Sequence, residues 1–281
     1  MIVVTGATGN VGHPLVRMLA EAGEEVTAVS RGVAPVAVAD GVKHHRADLA
    51  DPESLRPTLV GADAFFLLVS GVGTHLNPHA IVDVVKSAGI PRMVLLSSQA
   101  VSTRPHSASH APLRRIEKII EQSGLEWTHL RPGVFASNAL AWAPSVRAER
   151  TIASPFADVA LPAVDPQDIA ETAAMVLRRP GHGGKVYVLT GPEATSPRQR
   201  AHIIGDVLGE PITFVELTRE QAREQMPASM PEPLVEGTLS FNGAPTAEER
   251  QVNPDMATVL GRSPHHFTDW VSRNIMAFRN G

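Results

Sequence analysis

Three observations on this sequence predict an α/β fold built on a doubly wound, mostly parallel sheet. Short apolar runs alternate with helical patterns through the first third of the chain, the rhythm of β-α-β units whose strands are buried on both faces. A glycine-rich turn, Thr5-Gly6-Ala7-Thr8-Gly9-Asn10-Val11-Gly12, stands between the first apolar run and the first helical pattern. Beyond Arg131-Pro132-Gly133 the rhythm weakens, and Pro and Gly cluster at 227–233 and 243–245, which marks a smaller α+β lobe capping the ligand edge of the sheet. The expected division is a core over 1–135 and a lobe over 136–281, with a segment at about 160–190 returning to the core.

Each element has its own signal. Ile2-Val3-Val4-Thr5 reads as the first strand, and Val11, Leu15, Met18 and Leu19 recur at helical spacing until Gly23 stops that helix. Glu25–Val29 and Val42–Arg46 read as strands two and three. Asp51-Pro52 opens a short helix as N-cap and first residue, and Ala64–Val69 is a fully buried fourth strand. Asn77-Pro78 starts a helix running to Ala88, before Arg92–Leu96 as strand five. Pro112–Gln122 is helical and closed by Ser123-Gly124, and Trp127–Leu130 is strand six. Further on, Asp168–Leu177 reads as a helix and Lys185–Leu189 as a strand. Right-handed crossovers put the C-terminal ends of all these strands on one edge, where doubly wound sheets of the Rossmann type bind their ligands.

Composition narrows the classes of function. A chain of 281 residues with 43% hydrophobic and 19% charged content can bury a sizeable core. A formal charge of −4 offers no basic field to a phosphate backbone, so no nucleic-acid partner is expected. Without cysteine there is neither a disulfide framework nor a thiolate metal site. With no apolar stretch near the roughly 20 residues of a membrane span and no signal-type start, a cytoplasmic monomer or homodimer is expected.

The spacing Gly6-x-x-Gly9-x-x-Gly12 suits a dinucleotide. Gly6 lets the chain turn sharply, Gly9 lets backbone approach a pyrophosphate, and Gly12 permits close helix–strand packing. The helix start then favours the anion through free N–H groups and its dipole. Ser30-Arg31 ends strand two, where an acid would bond a ribose 2′-hydroxyl and an arginine accommodates a 2′-phosphate. NADP(H) is therefore favoured, with NAD(H) as the alternative. Asp48, after strand three, either faces the adenine or serves as a solvated helix cap beside Asp51. Thr8, Asn10 and Val11 in the turn, Val69 and Ser70 after strand four, and Ser97 after strand five complete this side of the cofactor set.

The glycine motif, the segments Ser123-Gly124-Leu125 and Trp127-Thr128-His129-Leu130-Arg131-Pro132-Gly133, then Leu189-Thr190-Gly191-Pro192-Glu193 and the tail Val259–Pro264 with Phe267 and Trp270 are found in this order. Together they resemble the NmrA-like branch of the atypical short-chain dehydrogenases/reductases. That resemblance covers nearly the whole chain. It implies either an NAD(P)H-dependent reductase of quinones or aromatic compounds, a tailoring enzyme of aromatic natural products, or a regulator that binds the dinucleotide without turnover. It also places Pro132, Gly133, Val134 and Phe135 beside the nicotinamide. In the wider superfamily a Tyr-x-x-x-Lys pair supplies the acid, and setting Glu117 on the family's helix glutamate puts Ser109 and Leu113 at those two positions. Neither side chain does that chemistry. The superfamily's catalytic serine falls near Ser98 or Gln99, and the sole tyrosine, Tyr187, lies in a late strand.

Candidates for proton transfer are then His75, His79, His106 and His110, on loops after strands four and five, together with Ser98. Solvated loop histidines are the alternative. A metal bound by His75/His79 and His106/His110 is not expected, because Pro78 and Pro112 should interrupt the helices needed to align each pair. Gln99, Asn138 and Trp142 are candidate contacts to an aromatic substrate, with Met226, Met230 and Phe241 closing an apolar pocket. The function these residues point to is an NADP(H)-dependent oxidoreductase acting on a small aromatic or quinone-type molecule, by reduction or oxygenation. A dinucleotide-sensing regulator is the alternative.

Overall fold

A computed structural model describes residues 1–32, 41–69, 71 and 73–280. The chain opens with β1 (Ile2–Thr5), α1 (Gly12–Glu21), β2 (Val26–Ser30) and β3 (Val42–Arg46). A 3₁₀ turn at Pro52–Leu55 leads into α2 (Arg56–Leu59), followed by β4 (Ala64–Leu68), α3 (Pro78–Ser87) and β5 (Arg92–Leu96). Next come α4 (Ala100–Thr103), α5 (Ala111–Glu121) and β6 (Glu126–Pro132), then α6 (Ala143–Glu149), β7 (Thr151–Pro155), α7 (Pro166–Arg178) and β8 (Lys185–Leu189). The remainder is α8 (Pro197–Leu208), β9 (Thr213–Leu217), α9 (Arg219–Glu224), α10 (Glu232–Gly243), α11 (Ala247–Arg250), α12 (Asp255–Leu260) and α13 (Phe267–Asn274).

Among the described residues the main sheet has seven strands in the order β3-β2-β1-β4-β5-β6-β8, every neighbouring pair parallel. The order reverses between β1 and β4, which opens a crevice above their C-terminal ends, the switch point of a doubly wound sheet. Side chains alternate between two cores with the period of two that strands impose. Val4, Phe66, Val94 and Leu130 pack under Leu15 of α1, Ile169 of α7 and Met256 of α12. Val3, Phe65, Met93 and Leu95 pack under Leu59, Ile81 and Ile120 on the opposite face. Thus α12 also lies against the sheet, beyond the 160–190 segment read as returning to it. A third core joins Val146, Ile152, Ile204, Phe267, Trp270 and Phe278 beneath the small parallel pair β7–β9. Among the described residues no helix is long and apolar enough to cross a membrane.

Local expectations were met at most strand positions and corrected at one cap and two prolines. Asp51 holds the N-cap position ahead of Pro52 without a side-chain cap bond; its carbonyl instead accepts from Ser54 Oγ at 2.6 Å. Pro78 and Pro112 do not interrupt helices. They occupy the first turns of α3 and α5, where a missing N–H costs nothing.

His129, in the middle of β6, is fully buried, and neither ring nitrogen makes a hydrogen bond among the described residues. Glu121 lies 3.4 Å from Nε2, in contact yet not aligned to accept. Burial pushes the imidazole down to about 4, outweighing the pull of Glu117. In the unfolded chain the ring regains a value near 6.5, so the unfolded state binds the extra proton first as pH falls. Stability from this site is complete above about pH 6.5 and is lost progressively towards pH 4, by on the order of 3 kcal/mol. Denaturant unfolding of wild type and His129→Phe at pH 7.5 and 5.0 should show a smaller acid loss in the variant. Parallel losses would contradict the assignment.

Candidate functional site

The turn between β1 and α1 is shaped by its glycines. Gly6 has φ +65°, a region in which an L side chain is strained, and a Cβ there would also meet Leu68 Cδ2 at 2.9 Å. At Gly12 a Cβ would stand 2.1 Å from the Gly6 carbonyl oxygen, so helix and turn touch backbone to backbone. Gly9 donates its N–H to Gly6 O at 3.0 Å, closing the loop. The start of α1 has no side-chain cap and no acidic residue in its first turn, which leaves its dipole available to an anion. Thr5 Oγ1 donates to Phe66 O at 3.0 Å and accepts from Leu68 N at 2.9 Å, fixing β1 to β4 just beneath the crevice.

A cleft of about 190 Å³ opens over this turn, lined by Gly6, Thr8, Gly9, Ser30, Arg31, Asp48, Leu68 and His75 among others. It brings together residues from the ends of β1, β2 and β3, in the arrangement that suits an adenosine half followed by a pyrophosphate. Ser30 Oγ is 2.8 Å from His44 Nε2, so the neighbouring strand steadies the Ser30-Arg31 corner. Asp48 accepts from Ala50 N at 3.0 Å and so takes part in a local turn while still lining the cleft. Asn10 lies on the far side of the glycine loop and donates to Ser137 Oγ at 3.2 Å, tying the turn to the lobe. Val11 is buried as the N-cap residue of α1, and Val69 follows β4 half-buried. Ser70 lies outside the described residues.

At the C-terminal ends of β5 and β6 the edge is polar. Ser97 is buried, and its Oγ has no hydrogen-bond partner among the described residues. An orphaned hydroxyl at the switch-point edge is the kind of group that a bound ligand satisfies. Pro132 ends β6, and Gly133 lies so near Gln99 that a Cβ would meet Gln99 Oε1 at 3.0 Å. Gln99 is itself buried and donates to Glu248 O at 3.3 Å. That placement makes it a brace behind Gly133. Val134 and Phe135 continue as a backbone ribbon, with Val164 N donating to Val134 O at 2.8 Å.

The proton-transfer candidates do not converge. His75 lines the cleft over the glycine turn and, like His79 in the first turn of α3 and His106, is exposed. His110 is half-buried with Nδ1 2.9 Å from Ser109 Oγ; burial first, then Arg114 and Arg104, holds its pKa below the usual value. Ser109, at the position of the missing tyrosine, is buried beneath α10, where a Cβ at Gly237 would sit 2.4 Å from its hydroxyl. Ser98 is half-buried and its Oγ accepts from Ala100 N at 3.3 Å. Tyr187 bonds His182 Nδ1 at 2.8 Å, within β8 and away from the edge.

Between the edge and the lobe lies a larger cavity of about 640 Å³. Val134, Asn138 and Trp142 line one side of it, Phe156, Met226 and Leu239 another. Asn138 and Trp142, expected as substrate contacts, both line this cavity, whereas Met230 and Phe241 are not among its lining residues. Two features escaped that reading. Glu117 is buried and accepts from Arg131 Nε and Nη2 at 2.9 and 2.7 Å, which locks α5 to the end of β6. Arg200, from α8, also lines the cavity. Charge partners 14 residues apart leave no local pattern, and an arginine in an amphipathic helix reads as solvated.

Comparison with known proteins places this architecture. The (4-alkanoyl-5-oxo-2,5-dihydrofuran-3-yl)methyl phosphate reductase of Streptomyces griseus is 33% identical over 281 residues, covering 99% of each chain. The NAD(P)H azoreductase of Xenophilus azovorans is 30% identical over 285 residues, again 99% of each. Among solved structures, the NADPH-dependent quinone oxidoreductase of Escherichia coli complexed with NADPH superposes with a TM-score of 0.83 at 24% identity, covering 98% of this chain and 99% of that one, which establishes a shared fold. With the NmrA-like family matching residues 1–270, the chain belongs to the NmrA-like family.

Proposed function

We propose that this chain is an NADP(H)-dependent oxidoreductase that reduces a quinone-type or aromatic small molecule. The observation that carries the reading is that the segment after β6 reaches both the glycine turn, where Asn10 bonds Ser137, and the larger cavity, which Val134 and Asn138 line. The dinucleotide cradle of Gly6–Gly12 lies on one side of the switch point, and the largely apolar 640 Å³ cavity shares Val134 and Asn138 with the segment that follows β6. The relatives support it, since those named above are a (4-alkanoyl-5-oxo-2,5-dihydrofuran-3-yl)methyl phosphate reductase and an NAD(P)H azoreductase. They support reduction and lend nothing to oxygenation. A cavity of this size built into the lobe is what a small-molecule enzyme requires and a bare sensor does not.

The bound nicotinamide would supply the hydride. The chain's part is to hold and orient. The glycine turn and the start of α1 take the pyrophosphate, Ser30 and Arg31 the 2′-phosphate, and Ser97 Oγ and the Pro132–Phe135 ribbon the nicotinamide half. Asn138 and Trp142 face the substrate. Ser98 and His110, both half-buried in the segment after β5, are the side chains we assign to passing a proton; His75 belongs with the cofactor's adenosine side. A quinone relaxes the demand for a strong acid, because its reduced form is stabilised as it forms.

NADPH consumption with a panel of quinones tests this reading, and consumption no faster than the protein-free background with every acceptor would overturn it. Selectivity offers a further check. Arg31→Ala should weaken NADPH binding by about ten- to a hundredfold while changing NADH little, the factor carried by one charge-assisted hydrogen bond. Calorimetric titration giving equal losses for both nucleotides would assign Arg31 another role.

A further inference from the structure

The 640 Å³ cavity has one charged residue in its lining, Arg200, and no carboxylate. Its other polar residues are Asn138, Ser145, Ser154, Gln225 and Asn242, all neutral. Arg200 is only 8% exposed. Its bonds go to uncharged oxygens: Nε to Thr195 Oγ1 at 3.0 Å, and Nη2 to Leu161 O and Thr195 O, both at 2.8 Å. Nη1 takes part in none of these, and the guanidinium carbon stands 5.7 Å from the Phe267 ring centroid.

A buried cation without a counter-ion is costly, because carbonyl dipoles and an aromatic face offset only part of the lost hydration. Burial lowers the guanidinium to about 10, which still leaves it charged at neutral pH. Other buried charges in this chain are neutralised directly, as Glu249 is by Arg104 and Asp168 by Arg262. Arg200 is not, and the open space beside it is the cavity. An arginine in such a position presents a planar fork suited to two oxygens of a phosphate or carboxylate.

We infer that the substrate of this site carries an anionic group, a phosphate monoester or a carboxylate, which pairs with Arg200 while its reducible ring lies towards Val134 and Asn138. The inference rests on the proposed reductase reading and narrows its substrate class. The competing role for Arg200 is purely structural, as a clamp on the bridge between Leu161 and Thr195.

Three naphthoquinones that differ only at the end of a short alkyl arm, bearing a phosphate monoester, a carboxylate or a hydroxyl, separate the two. They are titrated by calorimetry into NADP⁺-saturated protein and then assayed for NADPH consumption. At least one anionic ligand should bind wild type about tenfold or more tighter than the alcohol. The advantage of the phosphate over the carboxylate, or the reverse, identifies the group. Arg200→Met should erase the advantage with NADPH affinity unchanged, and Arg200→Lys should keep part of it. Should Arg200→Met fail to fold, Asn242→Asp sets a carboxylate into the same neutral wall and should weaken the anionic ligands while sparing the alcohol. Equal wild-type affinities, or an advantage that survives these variants, would overturn the inference and leave the reductase reading intact if the alcohol is still reduced. Binding of none of the three, with no NADPH consumed, would overturn both.

Discussion

Gly9→Asp is expected to abolish NADPH binding while leaving the protein folded. A carboxylate placed about 4 Å from a pyrophosphate charge costs roughly 4 kcal/mol at the effective dielectric of a protein surface, close to a thousandfold in affinity. The backbone tolerates the change better here than at its neighbours. Gly9 has no positive φ, and its Cβ would approach only the Gly6 carbonyl oxygen, at 3.3 Å, against 2.1 Å at Gly12. A melting temperature near that of wild type, together with no detectable heat on NADPH titration, is the expected pair of results. Undiminished affinity would remove the cradle from the account.

The largest loss of stability is expected at Asp168. Its carboxylate is fully buried in the first turn of α7 and accepts from Arg262 Nη2 at 2.8 Å, His265 N at 2.7 Å and His265 Nδ1 at 2.7 Å. Those bonds fasten the chain leading into α13, whose Phe267 and Trp270 close the lobe core. Asp168→Ala removes the buried acceptor of three hydrogen bonds and leaves half-buried Arg262 with Glu171 alone, a change that costs about 3 kcal/mol and lowers the melting temperature by on the order of 10 °C in a chain of this size. Denaturant unfolding should return that loss. A change below about 1 kcal/mol, the size of a surface ion pair, would show that the cluster contributes no more than an exposed one.

How far the fold was legible in the sequence follows from where its contacts lie. β1, β4 and β5 are buried on both faces, so their apolar runs stand out in the chain itself, and β2 and β6 differ from expectation only at their ends. The glycine turn was legible because its demands are local, as the Gly6 φ and the Gly12 contact display. The lobe was not. β7 and β9 pair across some 60 residues, and α13 packs on α8 across a similar span. For the same reason Asp168 was read only as the start of a helix, although its partners lie 94 and 97 residues on. The histidines show the limit of spacing, which says nothing about direction: the fold leaves His79 and His106 exposed and His110 half-buried beside Ser109. The bond of Gln99 to Glu248 spans 149 residues and is equally out of reach of any local pattern.

The central claim is that the dinucleotide is turned over in the cradle and not merely held there. Anaerobic single-turnover mixing of NADPH-loaded protein with a quinone, followed at the absorbance of reduced nicotinamide, tests it most directly. A first-order loss of that absorbance is expected, slowed when the transferred hydrogen at C4 is deuterium and absent from Gly9→Asp. Wild-type protein that binds NADPH tightly yet shows no loss above the protein-free rate with any quinone would contradict it.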